Sequence, residues 1–436
     1  MAGYPAGLGR CKYWSRETQS PAGAFAVAER RPTLAEHTTP ARLYEAVEPP
    51  GLDFDPVFAE LLRNEPLARL RLSHGEGECW LATRYEDVRL ITSDPRFSRA
   101  AIVGRPFPKM TRHHIPMDKA VSFVDPPGHA RVRGVIAGAF SHPSVERLRP
   151  RAQRILDGLL EELLRAGSPA DLVERVTSPF PLTLISELIG IPPADRPLMR
   201  EWAQVILGRA SDDGAATRTS QVKADAGVYF RSLAARRRAE PRDDLMSVLA
   251  AAVEAGRLEE EELVALTGLM QFNGWHAVRN NTSNMMYILL TRPDLMHRLR
   301  TAPDLVRGAV EELLRYIPHK HGVGQPRIAT EDVEVGSTLV RAGEVVYVSY
   351  VAANRDQRVY PKPDDIDFER RDAPHLAFGH GPHVCVAPML ARMESELLLS
   401  TLIERLPGLR LAVPADRIQW QTEILIRGPV ALPVAW

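Results

Sequence analysis

His375-Leu376-Ala377-Phe378-Gly379-His380-Gly381-Pro382-His383-Val384-Cys385-Val386-Ala387-Pro388-Met389-Leu390-Ala391-Arg392 lies near the C-terminal end of the chain. Its glycines, histidines and prolines cannot continue a regular helix or strand, so the run predicts a tight, irregular loop. After Pro388 the apolar residues Met389, Leu390, Met393, Leu397 and Leu398 fall on one face of a helix. A cysteine on a glycine-shaped loop just ahead of a helix is well placed to present a thiolate, because the first-turn N–H groups and the helix dipole favour negative charge.

Three uses of Cys385 are open on position alone. It can be a buried structural thiol, the common fate of a lone cysteine. It can be one ligand of a tetrahedral zinc site, drawing on His375, His380 and His383. Or it can be the single axial thiolate of a haem iron, with loop N–H groups tuning the sulfur. A redox pair has no second cysteine nearby.

The run resembles the haem-binding signature of the cytochrome P450 superfamily, Phe-Gly-any-Gly-any-His-any-Cys-any-Gly followed by Leu-Ala-Arg. Phe378, Gly379, Gly381, His383, Cys385, Leu390, Ala391 and Arg392 match, and Ala387 stands where the family usually has glycine. The resemblance implies a mainly α fold with small β-rich regions, the cytochrome P450 fold. It also implies haem b (iron protoporphyrin IX) with Cys385 on the iron.

Composition narrows the function. The chain has 436 residues, 44% of them hydrophobic, and a formal net charge of zero. There is no basic, aromatic-interleaved block, so nucleic-acid binding has no support. Cys11, Cys79 and Cys385 are odd in number and far apart, which fits a reducing cytoplasm rather than a disulfide framework. No long apolar run predicts a signal peptide or membrane anchor. Residues 1–40, rich in small and polar residues, read as an N-terminal extension. The resemblance covers residues 41–436 as one cytochrome P450-like domain.

In chain order, Arg69–Leu72 alternates polar and apolar residues and predicts a strand, paired with residues 78–83 across the turn at Gly75–Gly77. A short helix follows from Arg84. Residues 99–120, including His113 and His114, have no period; in the family this region shapes the substrate site. Pro127 marks a helix start, and His129 and Arg133, four apart, share a face that suits a carboxylate or is simply a surface pair. By resemblance, His129, Arg133 and Arg327 hold haem propionates, and arginine suits a carboxylate because its donor fork is bidentate. Residues 144–166 and 171–189 predict helices, with further helices from Trp202 and Val222 around the polar loop 211–214, which often gates access in the family.

The longest periodic stretch, Glu261–Leu290, resembles the helix that crosses the distal face of the haem. Its usual small-Gly-any-acid-Thr core reads Asn273-Gly274-Trp275-His276-Ala277 here. His276 replaces the acid and Ala277 the threonine, a pair that normally helps deliver protons during oxygen activation. Ala277 has no proton-bearing group. His276 either carries a proton near neutral pH or forms a buried hydrogen bond, and Asn273 bonds substrate or backbone. Three routes stay open: a substrate hydroxyl replaces the threonine, the oxidation is radical coupling or peroxide use, or the site no longer activates oxygen. Glu312, Arg315 and Arg370 match the family's structural triad. His319-Lys320-His321 is a candidate contact for a polar or anionic substrate group.

The resemblance therefore implies a haem-thiolate monooxygenase that tailors a small natural-product intermediate of the antibiotic type, taking electrons from a ferredoxin-type donor. The alternatives are an atypical haem oxidase and a non-catalytic helper of a glycosyltransferase.

Overall fold

Strand Cys79–Ala82 is buried at all four positions, and so is Val345–Val348, which lies parallel beside it in the register Cys79↔Val345 to Ala82↔Val348. Central strands covered on both faces read as continuous apolar runs. Alternate residues enter different cores: Trp80, Ala82, Val346 and Val348 pack on one side, and Cys79, Leu81, Val345 and Tyr347 on the other. In this computed structural model the full sheet runs in the order Arg42–Tyr44, Leu67–Leu72, Cys79–Ala82, Val345–Val348, Arg327–Ala329 and Phe97–Ser98. The predicted hairpin is present, with Leu67↔Ala82 to Leu70↔Cys79 antiparallel.

The structure describes residues 41–44, 49, 51–110, 119–208, 214–319, 323–422 and 426–436. The readings of the extension 1–40, of His113 and His114, of the loop 211–213, and of Lys320 and His321 lie outside these residues. Most of the rest is helical, and a large apolar core joins the helices. The fold is mainly α with small sheets, as expected.

Two helix expectations need correction. The 171–189 stretch is three elements: strand Ala170–Asp171 pairs with Pro433–Ala435, a wide π-type turn spans Val173–Thr177, and the helix proper is Pro179–Ile189. Proline opens that helix because its missing N–H is not needed there. The central stretch is likewise divided into helix Glu260–Gly268, a π-type turn Leu269–Asn273 and helix Gly274–Thr291. A capping box between Glu259 and Glu262 starts it. A π turn inserts a residue without breaking the apolar period enough to be read from sequence, and such turns recur at functional sites.

The triad reading is matched by a buried cluster. Both Glu312 carboxylate oxygens accept from Arg315, at 2.8 and 2.7 Å, and from Arg370 Nε, both at 3.1 Å. Arg315 also donates to the carbonyls of Asn354 and Pro363. The Asn354 side chain accepts from Leu376 N at 2.7 Å. The cluster thus fastens the start of the cysteine loop to helix Val306–Tyr316.

Candidate active site

The cysteine loop closes on itself. Cys385 N donates to Phe378 O at 2.8 Å and Gly379 N to Leu376 O at 2.9 Å, and a single 3-10 turn covers Gly381–His383. Gly381 has φ +72°, and a Cβ there would stand 2.1 Å from Thr92 O, so no other residue fits without moving backbone. His380 Nδ1 lies 3.1 Å from the Thr92 hydroxyl. On the other flank Arg392 stacks over the Phe378 ring at 4.6 Å and donates twice to Glu311, at 2.6 and 2.9 Å. Burial works to raise the Glu311 carboxyl, but His375 and Arg392 outweigh it and hold it down to about 2.

Above the loop lies a cluster of cationic and donor groups. His129 and Arg133 come from helix Gly128–Ala137. The His129 ring is 4.3 Å from that of His383. Arg133 donates to Val384 O at 2.6 Å and to Cys385 O at 3.1 Å, so its Nη groups clamp the loop as well as adding charge. Arg327 is 1% exposed, and its Nη2 has no hydrogen-bond partner among the described residues. His383 is pushed down to about 2 by burial, then by Arg99, His129, Arg327 and Arg133. His129 is lowered by burial, Arg133 and Arg99. Sequence reasoning missed Arg99. It follows strand Phe97–Ser98, and no local pattern distinguishes it from a surface arginine. Only the fold buries it here.

On helix Gly274–Thr291 and the turn before it, Asn273, Gly274, Ala277 and Asn281 are half-buried while most neighbours are fully buried. Asn273, Ala277 and Asn281 are spaced by four and form one stripe. Asn273 Nδ2 donates to Leu269 O at 3.3 Å, so its amide reaches back to the π turn. His276 departs from the proton-carrying reading. It is 2% exposed, burial and then Arg279 push it down to about 3, and it is neutral at physiological pH. Its Nδ1 has no partner among the described residues, so the buried-hydrogen-bond reading finds none at that atom either.

The structure thus brings His129, Arg133, Arg327, Phe378, His383 and Cys385 into one neighbourhood. Asn273 ends the π turn, and His276 and Ala277 lie in the first turn of helix Gly274–Thr291, which packs against Pro388–Arg405. His319 donates its N–H to Ile317 O at 2.8 Å. The zinc alternative has no ligand set: among the described residues no group of three or more His, Cys, Asp or Glu is placed for a metal ion. His375 turns to Glu311, His380 to Thr92 and His383 to His129. Haem fits better. One thiol is half-exposed on the loop, and the buried guanidinium of Arg327 with its unpartnered Nη2 calls for carboxylates.

A mainly α fold that presents one cysteine on a glycine loop before a helix defines the P450 class. The Cytochrome P450 family profile matches residues 223–409. The chain is 48% identical over 397 residues to biflaviolin synthase of Streptomyces coelicolor, covering 91% of this chain and 97% of that protein. It is 45% identical over 402 residues to nocardicin C N-oxygenase of Nocardia uniformis subsp. tsuyamanensis, covering 91% and 99%. The crystal structure of cytochrome P450mel 107F1, described as having biaryl coupling reactivity, superposes with a TM-score of 0.85 at 44% identity, covering 88% and 97%. The chain belongs to the cytochrome P450 family, and the relatives it resembles are bacterial enzymes that tailor natural products. No helix of the described residues is long and apolar enough to cross a membrane.

Proposed function

We propose that this chain is a haem-thiolate oxidase of natural-product tailoring whose substrate is a phenolic small molecule, oxidised with coupling of two aromatic rings. The observation that carries this reading is the Ala277 position. It offers no hydroxyl, and the adjacent His276 is buried and neutral, so this helix lacks the usual acid–alcohol pair. A phenolic substrate brings its own hydroxyl to that gap. The names of biflaviolin synthase and of a structure with biaryl coupling reactivity support the same direction.

In this reading Cys385 would ligate haem b, Phe378 would border it from the loop, and His129, Arg133, Arg327 and His383 would hold its carboxylates. Bound haem supplies the oxidising equivalents, from dioxygen with a ferredoxin-type donor or from peroxide. The chain does the rest. Ala277 leaves room for a substrate hydroxyl, Asn273 borders that space, and neutral His276 places no charge beside it. Overall, two phenols each give up one electron and one proton, and one carbon–carbon bond forms.

Hydroxylation or another oxygen insertion is the second reading, favoured by the N-oxygenase relative. The helper role beside a glycosyltransferase has no use for the buried cationic cluster, which speaks against it. Mass spectrometry of a polyphenol incubated with the loaded protein, first with a ferredoxin system and then with peroxide, separates these. A product of twice the substrate mass less two hydrogens supports coupling. A single added oxygen supports insertion. Unchanged phenol under both conditions, across a polyphenol panel, would sink the proposal.

A further inference from the structure

A second group of charges, sharing no residue with the cysteine loop, lines a recess of about 240 Å³. Its walls are the hairpin of strands Leu67–Leu72 and Cys79–Ala82, the start of helix Tyr85–Ser93, and the turn at Gly336 and Ser337. Arg84 caps the N-terminus of that helix and Asp87 lies in its first turn; both are half-buried. The two side chains make no ion pair with each other. Arg84 Nε is buried with no hydrogen-bond partner among the described residues, and the Asp87 carboxylate accepts no hydrogen bond from them. Burial raises the Asp87 carboxyl, against the pull of Arg84 and Arg358. Arg358 is itself committed to Asp356 at 2.8 Å. The turn leaves Asp87 uncovered: its oxygens are 3.8 and 4.0 Å from where a Cβ on Gly336 would stand.

The other charges of the recess divide in the same way. Arg69 is committed, with Nε on Glu78 at 2.8 Å and its guanidinium 5.9 Å from the Trp80 ring centroid. Glu65 lines the recess, half-buried, and its carboxylate has no partner among the described residues. One guanidinium and two carboxylates are therefore left to meet an occupant. An arginine fork is best matched by a carboxylate, and carboxylates drawn out of water need cationic donors. Leu67 and Val335 add an apolar wall. The volume is below the roughly 300–1,000 Å³ of sites for drug-sized ligands, so the occupant is small.

We propose that this recess binds a small basic amino acid, its carboxylate on Arg84, its α-ammonium at Asp87 and its side-chain cation towards Glu65. The proposal depends neither on haem nor on the substrate that is oxidised.

The test is equilibrium dialysis of labelled L-lysine against the full-length holoprotein. Saturable binding of one lysine per chain is expected at millimolar concentrations or below. Loss of a charge-assisted hydrogen bond predicts that Arg84→Gln and Asp87→Asn each weaken it about tenfold or more. Two competitors divide the contacts: cadaverine lacks the carboxylate, and ε-aminocaproate lacks the α-ammonium. Each should displace lysine only at about tenfold higher concentration or more than unlabelled lysine does. No saturable binding would overturn the proposal. Unchanged affinity in Arg84→Gln or Asp87→Asn would place lysine elsewhere and overturn it, and so would cadaverine competing as well as lysine. The haem absorbance of each variant reports whether it is folded. If one variant does not accumulate, the other variant and the two competitors on the wild type carry the decision.

Discussion

Arg133 donates to the carbonyl oxygens of Val384 and Cys385, at 2.6 and 3.1 Å, from a helix some 250 positions earlier in the chain. The guanidinium holds the backbone of the cysteine itself. Replacing it with glutamine should loosen the loop and shift the reduced carbon monoxide spectrum from the thiolate-ligated to the non-thiolate form. Arg133→Lys should fall between, because a single ammonium cannot span two carbonyls as a planar fork does. An unchanged spectrum in Arg133→Gln would mean the clamp is idle.

Gly381 and Gly379 both have positive φ, but they differ in space. A Cβ at Gly381 meets Thr92 O at 2.1 Å; at Gly379 it meets Tyr350 Oη at 3.6 Å. Left-handed backbone costs an alanine roughly 1–2 kcal/mol at either site. Only Gly381→Ala adds a backbone clash. The ratio of haem to protein absorbance in purified samples should therefore fall much further for Gly381→Ala than for Gly379→Ala.

Glu312 and Arg315 are 3% and 2% exposed, and Arg370 joins them. Glu312→Gln leaves the buried Arg315 guanidinium without its carboxylate, while Arg370 keeps Asp372 at 3.0 Å. Removing one partner of such a cluster costs about 3–5 kcal/mol, and urea unfolding should show that loss. Glu60→Gln, which breaks an exposed pair with Arg42, should leave the unfolding midpoint unmoved. Equal effects of the two changes would refute the structural role of the triad.

The His276 position makes a prediction about pH. Burial and Arg279 depress it from 6.5 to about 3 in the folded chain. Between these values the unfolded chain binds a proton that the native chain does not. Stability from this residue is therefore constant above pH 6.5 and falls on acidification towards pH 3, by at most about 1.4 kcal/mol per unit. In His276→Asn the pH dependence of urea unfolding in that window should flatten by about one proton. A wild-type slope retained in the variant would show that His276 is protonated in the native state.

Much of the site was legible from neighbours along the chain. Gly381, Pro388 and the apolar spacing after it announce a loop and a helix because φ, ring closure and a 3.6-residue period are local properties. The hairpin read from residues 69–72 and 78–83 and the Glu312–Arg315 spacing are local in the same sense. The substitution at Ala277 was visible because one side chain either has a hydroxyl or lacks it.

What tertiary structure decided depends on who faces whom. Only the fold places Cys79–Ala82 beside Val345–Val348, buries Arg99 next to Arg327, turns Arg133 onto the Cys385 carbonyl and neutralises His276. The π turn at Leu269–Asn273 belongs here too, since the apolar period runs on either side of it. The physical reason is common to all of them. Desolvation and counter-charge are set by elements far apart in sequence, so the charge state and partner of a buried group are not written in its neighbours.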